Sequence, residues 1–222
     1  MGPADHCCDP GMLKIATEET RDYDEIVIVQ EKLDGSNVSV AKVGGKILSL
    51  TRAGYLATTS PFPMHHMFAR WVRQNENRFD FLEEGQRICG EWLIQAHGTR
   101  YDLPHEPFVV FDIIANKDRL IYEEFLDKVQ SRFTTPRLIS RGPSLSVETA
   151  MEMIKTSGHG AIDPVEGAVW RVEKGNKVSF LAKYVRLDKV DGLYLPEKSG
   201  EHPLWNPFPG SKEWMPKILV SV

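Results

Sequence analysis

Seven short, mostly apolar runs punctuate the chain at 26–29, 38–40, 47–50, 87–93, 108–114, 168–172 and 178–185, each of the length of a strand. Two of them meet across KVGGKI at 42–47, whose paired glycines suit a tight hairpin turn and so predict antiparallel pairing. Helical periodicity is sparser. Met64, Met67, Phe68, Trp71 and Val72 fall on one helical face and predict a core helix. Val147, Ala150, Met151 and Ile154 repeat the pattern, with Ser146 as N-cap and Gly158 as stop, and a third helix is expected over 120–129. Strands and helices alternate too irregularly for a doubly wound parallel sheet, so the fold class is α+β, with mainly antiparallel sheets flanked by helices.

At 222 residues and 41% hydrophobic content the chain is large enough for one packed core. Beyond Asp191 the composition turns to LPEKSGEHPLWNPFPGSKEWMP. The expectation is one domain over 1–190, followed by an irregular arm over 191–222 held by Trp205, Phe208 and Trp214. No run reaches the roughly 18 apolar residues of a membrane span, and the polar start lacks the features of a signal peptide, which predicts a soluble cytoplasmic protein without a membrane partner. Three cysteines are too few and odd in number for a disulfide framework. His6, Cys7 and Cys8 lack a second pair at ligand spacing, which argues against a metal site there. A net charge of −4 excludes a wholly basic nucleic-acid coat but leaves room for a local basic groove.

Within this frame the segment EKLDGSN, 31–37, places a lysine, an aspartate and a glycine where the apolar run EIVIVQ ends. Asp-Gly alone is common turn punctuation. Five further charged residues stand in or beside strand-like runs, where a structural role alone seldom puts them: Arg52, Glu91, Asp112, Glu166 and Lys183. Together with Lys32 they predict a polar pocket lined by sheet ends. An ordinary lysine is neutral in only about one in 2,500 molecules at pH 7, a deficit of roughly 4.6 kcal/mol for a nucleophile. Neighbouring cations or a divalent metal recover part of that deficit, and the same cations neutralise a triphosphate. A lysine set among cations and carboxylates therefore suits attack on the α-phosphate of a nucleotide, with pyrophosphate leaving in line.

These segments, in this order from about Val27 to Arg186, resemble the motifs of the covalent nucleotidyltransferases, the superfamily of ATP-dependent polynucleotide ligases and mRNA capping enzymes. The closest likeness is to the RNA ligase branch that seals nicks in duplex RNA. The resemblance implies an ATP-grasp-like nucleotidyltransferase domain in which Lys32 of EKLDGSN becomes adenylylated. It also implies that Glu31 and Asn37 support the phosphate and metal site, and that Arg52 is the arginine that follows the first motif. Glu91 of GEW would accept hydrogen bonds from the ribose, Phe111 of FVVFDI would stack on adenine, and Asp112 would belong to the same wall. Glu166 of EGAVW would lie near the metal, and Lys183 of AKYVR would touch the α-phosphate. ATP with Mg²⁺ or Mn²⁺, and RNA with 5′-phosphate and 3′-hydroxyl ends, are the implied partners.

Two departures stand out. The last motif usually carries two lysines one residue apart, whereas Leu181 or Val185 occupies one of those slots here. After Arg186 only 187–222 remain, too little for the C-terminal domain that relatives append, so a partner chain supplying a lid is one expectation. KVDG at 189–192 repeats the K-x-D-G pattern, but Lys189 is rejected as nucleophile because nothing resembling Glu91, Asp112 or Glu166 follows it. His65 and His66 are assigned a helix-surface or packing role, and the loop HGTRYDLPH, with His97, Arg100, Tyr101 and His105, is either an RNA or phosphate contact or an ordinary turn. The expected activity is ATP-dependent RNA joining through a lysyl-AMP intermediate. GTP-dependent capping, DNA sealing, and a nucleotide- or RNA-binding module without turnover remain as alternatives.

Overall fold

A computed structural model of the protein describes residues 8–214, so His6 and Cys7 lie outside the described residues, as does the side chain of Trp214. The elements in chain order are α1 (Pro10–Thr17), β1 (Glu25–Lys32), β2 (Ser36–Val43), β3 (Lys46–Thr51), α2 (Pro63–Gln74), β4 (Arg87–Trp92), β5 (Phe108–Ala115), β6 (Asp118–Arg119), α3 (Tyr122–Val129), β7 (Leu138–Gly142), α4 (Val147–Met153), β8 (Gly167–Lys174), β9 (Lys177–Val185), α5 (Pro196–Ser199) and α6 (Ser211–Trp214). They form two antiparallel sheets, ordered β7-β1-β8-β9 and β3-β2-β4-β5-β6. The expected α+β class holds. Among the described residues no helix is long and apolar enough to cross a membrane.

Local chemistry sets the hairpins. At KVGGKI the register runs Val43↔Lys46, leaving Gly44 and Gly45 at φ 59° and 71°. These positive angles belong to a type I′ turn, whose twist matches that of the flanking strands. Glu84 accepts hydrogen bonds from both turn amides, at 2.5 and 3.0 Å.

The two sheets face each other, with helices outside. Val38, Val40, Ile88 and Phe108 point away from the first sheet and pack with Phe68 and Trp71 of α2. Phe68 is fully buried, its ring 5.2 Å from Phe108 and 5.3 Å from Trp92. Burial of each such side chain contributes about 1.5–3 kcal/mol. On the far side of the other sheet, Val27, Val29, Ala168, Trp170 and Val172 pack with Ile15 and Ala16 of α1 and with Ala150 of α4. Ser146 caps α4 by accepting from Thr149 N at 3.1 Å. The helix stops at Ile154, where φ −108° and ψ 19° leave the helical range, so Gly158 is not its terminator.

Among the described strands and α-helices before residue 190, three escape the sequence patterns. α1 is eight residues long with only Ile15 and Ala16 buried, too short for a periodicity to show. β7 carries Ser and Arg among its five residues, and β6 has two exposed residues. Both are strands because a neighbour offers an open edge.

Candidate active site

The chain changes sheet at KLDGS. β1 ends at Lys32 in one sheet, and β2 begins at Ser36 in the other, so Leu33, Asp34 and Gly35 cross between them. This explains why a strand runs out at a lysine: its side chain emerges where the facing sheets join. Gly35 fits because the crossing is tight, since a Cβ there would lie 2.7 Å from Trp92 O and 2.9 Å from a Leu93 methyl. Asp34 is buried at 7% exposure and does far more than punctuate a turn. Its N–H donates to the Tyr101 hydroxyl at 3.0 Å, and its Oδ2 accepts from Gly98 N at 2.8 Å.

Lys32 pairs across the ladder with Gly167, which brings its Nζ to 2.5 Å from Oε2 of the preceding Glu166. Glu166 is 4% exposed. Its other oxygen binds Lys189, whose Nζ also meets Asp34 at 3.0 Å and Asp191 at 3.3 Å. Burial disfavours the Lys189 charge, but Asp34 and Glu166 outweigh it and hold the ammonium above the ordinary lysine value. Glu91 faces the same cluster and accepts from Gly35 N at 3.1 Å. Burial pushes its carboxyl up to about 7 against the opposing pull of Lys32, and Glu166 and Asp34 add to the rise. Asn37 is the register partner of Glu91 and shares its side of the sheet.

The remaining expected residues divide. Lys183 pairs with Val169, itself the partner of Gln30, so it shares the face of Lys32 two strands away, exposed on the edge strand β9. Arg52 is exposed, one residue beyond the pair Val38↔Thr51. Phe111 is the extra residue of a β-bulge, since Cys89 pairs with Asp112 and Gly90 with Val110, and it stands half-exposed. Glu31 points elsewhere, because side chains alternate along β1. Its carboxylate accepts from Ser157 Oγ at 2.5 Å and Gly158 N at 2.8 Å, fastening that loop.

Asp112 is taken up by protein partners. Expected on the nucleotide wall, it is 2% exposed, with its oxygens held by Arg119 at 2.5 Å and Arg171 at 3.0 Å. Arg171 stands on β8, so the pair bolts the two sheets together, and Arg171 also binds Glu173 at 2.6 Å. Asp112→Ala leaves that buried guanidinium short of a partner. The expected cost is about 3 kcal/mol, read as a fall of roughly 10 °C in the thermal midpoint. A midpoint within about 2 °C of wild type would contradict this assignment.

Sequence reasoning missed Lys189 and Asp34 as members of the cluster, and left Tyr101 undecided. The repeated KVDG is the local signal for Lys189, and the motif's own Asp reads as turn punctuation. Arg100, in the same loop as Tyr101, is taken up by Asp163 at 2.8 Å. Among the described residues no group of three or more His, Cys, Asp or Glu is arranged to hold a metal ion.

With the site in view, its relatives are informative. The sequence model of the RNA ligase family matches residues 25–185. Among solved structures, an archaeal ATP-dependent RNA ligase aligns at 23% identity and TM-score 0.50, over 73% of this chain and 43% of the other. The Naegleria gruberi RNA ligase with PPi aligns at 17% identity and TM-score 0.52, over 80% of this chain and 53% of the other. A mutant of that ligase with AMP and Mn aligns at 17% identity and TM-score 0.51, over 73% and 50%. At these identities the likeness is one of fold, and the chain spans about half the length of the solved structures it matches. No curated protein matches the chain. Since the family match opens with the first residue of β1 and closes with the last of β9, taking in both sheets and every strand that frames Lys32, the chain belongs to the RNA ligase family.

Proposed function

We propose that this chain forms a lysyl-AMP intermediate from ATP and passes the AMP to an RNA 5′-phosphate, as the adenylyltransferase core of an ATP-dependent RNA ligase. The observation that carries the reading is the Lys32 Nζ set 2.5 Å from buried Glu166 at the junction of the facing sheets. In the first step the Lys32 amine forms an N–P bond to the α-phosphorus while the bond to the pyrophosphate oxygen breaks. Glu166 Oε2 is the carboxylate placed to take the Nζ proton. In the second step a 5′-phosphate oxygen displaces Lys32, whose nitrogen regains a proton. A 3′-hydroxyl then attacks the activated 5′ phosphorus, and AMP leaves.

Residues 1–190 make up the catalytic unit in this reading, with 191–222 as an arm rather than a second domain. Asn206 supports it: wholly buried, it donates to Leu93 O at 2.7 Å and accepts from Tyr101 N at 2.9 Å. Glu91 and Asn37 face the ribose and phosphates, half-exposed Phe111 offers the ring for adenine, and Arg52 and Lys183 lie at the rim as phosphate contacts. Mg²⁺ is typically held by one or two carboxylates together with substrate phosphates, which fits a site offering Glu166 and no all-protein cage. Bound there, Mg²⁺ or Mn²⁺ neutralises the triphosphate. The Naegleria gruberi ligase has been solved as mutants with ATP and Mn and with AMP and Mn, which favours the same ligands here.

Incubation with ATP and Mg²⁺ followed by intact mass measurement tests the reading. Wild type should gain one adenylyl group and Lys32→Ala none. An unmodified wild type, or a fully modified Lys32→Ala, sinks it. Labelled GTP in place of ATP separates capping chemistry from ligation.

A further inference from the structure

We propose that Lys189, which lies beyond the segment shared with the family, is a positioning residue of this site. It holds Glu166 by one oxygen so that the other is presented to Lys32. The inference rests on Lys32 being the nucleophile, as proposed above.

Lys189 is the more buried of the two lysines on Glu166, its side chain 4% exposed against 21% for Lys32. Taking an ammonium out of water costs several kcal/mol, and an apolar side chain of similar volume in its place is often neutral or stabilising. Packing alone therefore gives no reason for a lysine here. Its surroundings are built to hold it in one place. Arg186 N donates to Glu166 O at 3.0 Å and Arg186 Nε to Val165 O at 2.7 Å, clamping the backbone that carries Glu166 to the chain leaving β9. Lys189 N returns to Arg186 O at 3.2 Å, and Tyr194 N fixes the next stretch to His97 O at 2.7 Å. Gly98 leaves a slot for the segment: a Cβ there would lie 2.6 Å from Val190 O and 3.0 Å from Lys189 Cε. The ammonium also joins Asp34, two residues after Lys32, to Glu166, so one cation ties both flanks of the nucleophile together. Lys183, the cation expected at the α-phosphate, stands on the edge strand β9 on the same face as Lys32, and Lys189 is a cation that reaches Glu166.

Without Lys189, Glu166 is free to swing, and a misplacement of about 1 Å at a reacting group costs on the order of 100-fold in rate. The experiment measures lysyl-AMP formation by intact mass over a range of ATP concentrations for wild type, Lys189→Met and Lys189→Arg, with thermal melts alongside. Lys189→Met removes the charge at similar length. Lys189→Arg keeps the charge, which protects the fold, but sets it at a different distance from Glu166. The expected result is a rate at saturating ATP down about 30-fold or more in Lys189→Met and about 10-fold in Lys189→Arg, with half-saturating ATP within about threefold of wild type. A folded variant within about threefold of the wild-type rate overturns the proposal. So does a loss confined to half-saturation, which would make Lys189 a nucleotide contact, and so does failure of both variants to fold, which would make it a structural ion pair. An unmodified wild type fails the underlying reading, and this inference with it.

Discussion

Glu166→Ala is expected to abolish lysyl-AMP formation and to lower the thermal midpoint by roughly 10 °C. The carboxylate is the shared partner of two ammonium groups, with Lys32 at 2.5 Å on one oxygen and Lys189 on the other. Its removal leaves two like charges facing a hole. Breaking a buried pair by deleting one partner costs about 3–5 kcal/mol, because the surviving charge stays out of water without compensation. In a chain of this size each kcal/mol moves the midpoint by about 2–4 °C. In the proposed mechanism activity falls because the oxygen that receives the Nζ proton is gone. Glu166→Gln separates the two effects, since it keeps the shape and one acceptor oxygen. It should recover part of the midpoint in calorimetry while intact mass still shows no adduct. Adenylylation of Glu166→Ala at the wild-type rate would refute the role given to this carboxylate.

Acid should destabilise the protein through His159, and the sign follows from its bonds. Arg137 N donates to His159 Nε2 at 3.1 Å, so the proton of this ring sits on Nδ1 and points to His105 Nε2 at 2.8 Å. His105 in turn carries its proton on Nδ1, which meets Glu106 O at 2.6 Å. The relay has no place for a second proton on His159. Burial, with His105 and Arg137 adding to it, pushes this imidazole from 6.5 down to about 3. Above pH 6.5 the ring is neutral in folded and unfolded chains alike and contributes nothing to the pH dependence. Below 6.5 the unfolded chain takes up a proton that the folded chain refuses, so stability falls by about 1.4 kcal/mol per pH unit until pH nears 3. By pH 4.5 the loss is about 3 kcal/mol.

Glu91 acts in the opposite direction over part of this window. Its folded value of about 7, above the ordinary 4.5, lets the folded chain bind the extra proton there and gain stability as pH falls. The informative measurement is therefore a difference. Midpoints of wild type and His159→Gln should diverge as pH drops from about 7 to 4.5, the wild type losing roughly 6–12 °C more. The glutamine oxygen preserves an acceptor for Arg137 N without a titrating ring. Parallel curves would rule the mechanism out.

Much of the framework was written locally. The seven strand-like runs all lie within or overlap observed strands, and the face of Met64, Phe68, Trp71 and Val72 is buried in α2 as its spacing required. Trp170 of β8 is buried in the core, with its ring N–H bonded to Leu145 O at 2.8 Å. EKLDGSN stood out because a charged pair and a glycine interrupt an apolar run, and chain order alone linked it to GEW and EGAVW. These signals involve residues within a turn or a strand of one another, so neighbouring amino acids suffice to specify them.

What the chain order could not settle was which charges meet. Asp112 and Glu166 look alike in sequence, each a carboxylate beside a strand-forming run, yet Asp112 bolts the sheets through Arg171 while Glu166 faces Lys32. The difference lies in strand order: β1 lies beside β8, which carries Gly167 and hence Glu166 to the end of β1, while the facing sheet carries Asp112 to the opposite side of Arg171. Lys189 is the sharper case. Its three carboxylate partners come from the sheet crossing, the residue before β8 and its own segment, and only the folded chain assembles them. Secondary structure follows from steric and hydrophobic preferences that act between near neighbours. Ion pairing depends on distances of a few ångströms between groups far apart in the chain, and those distances come into being only when the two sheets close on each other.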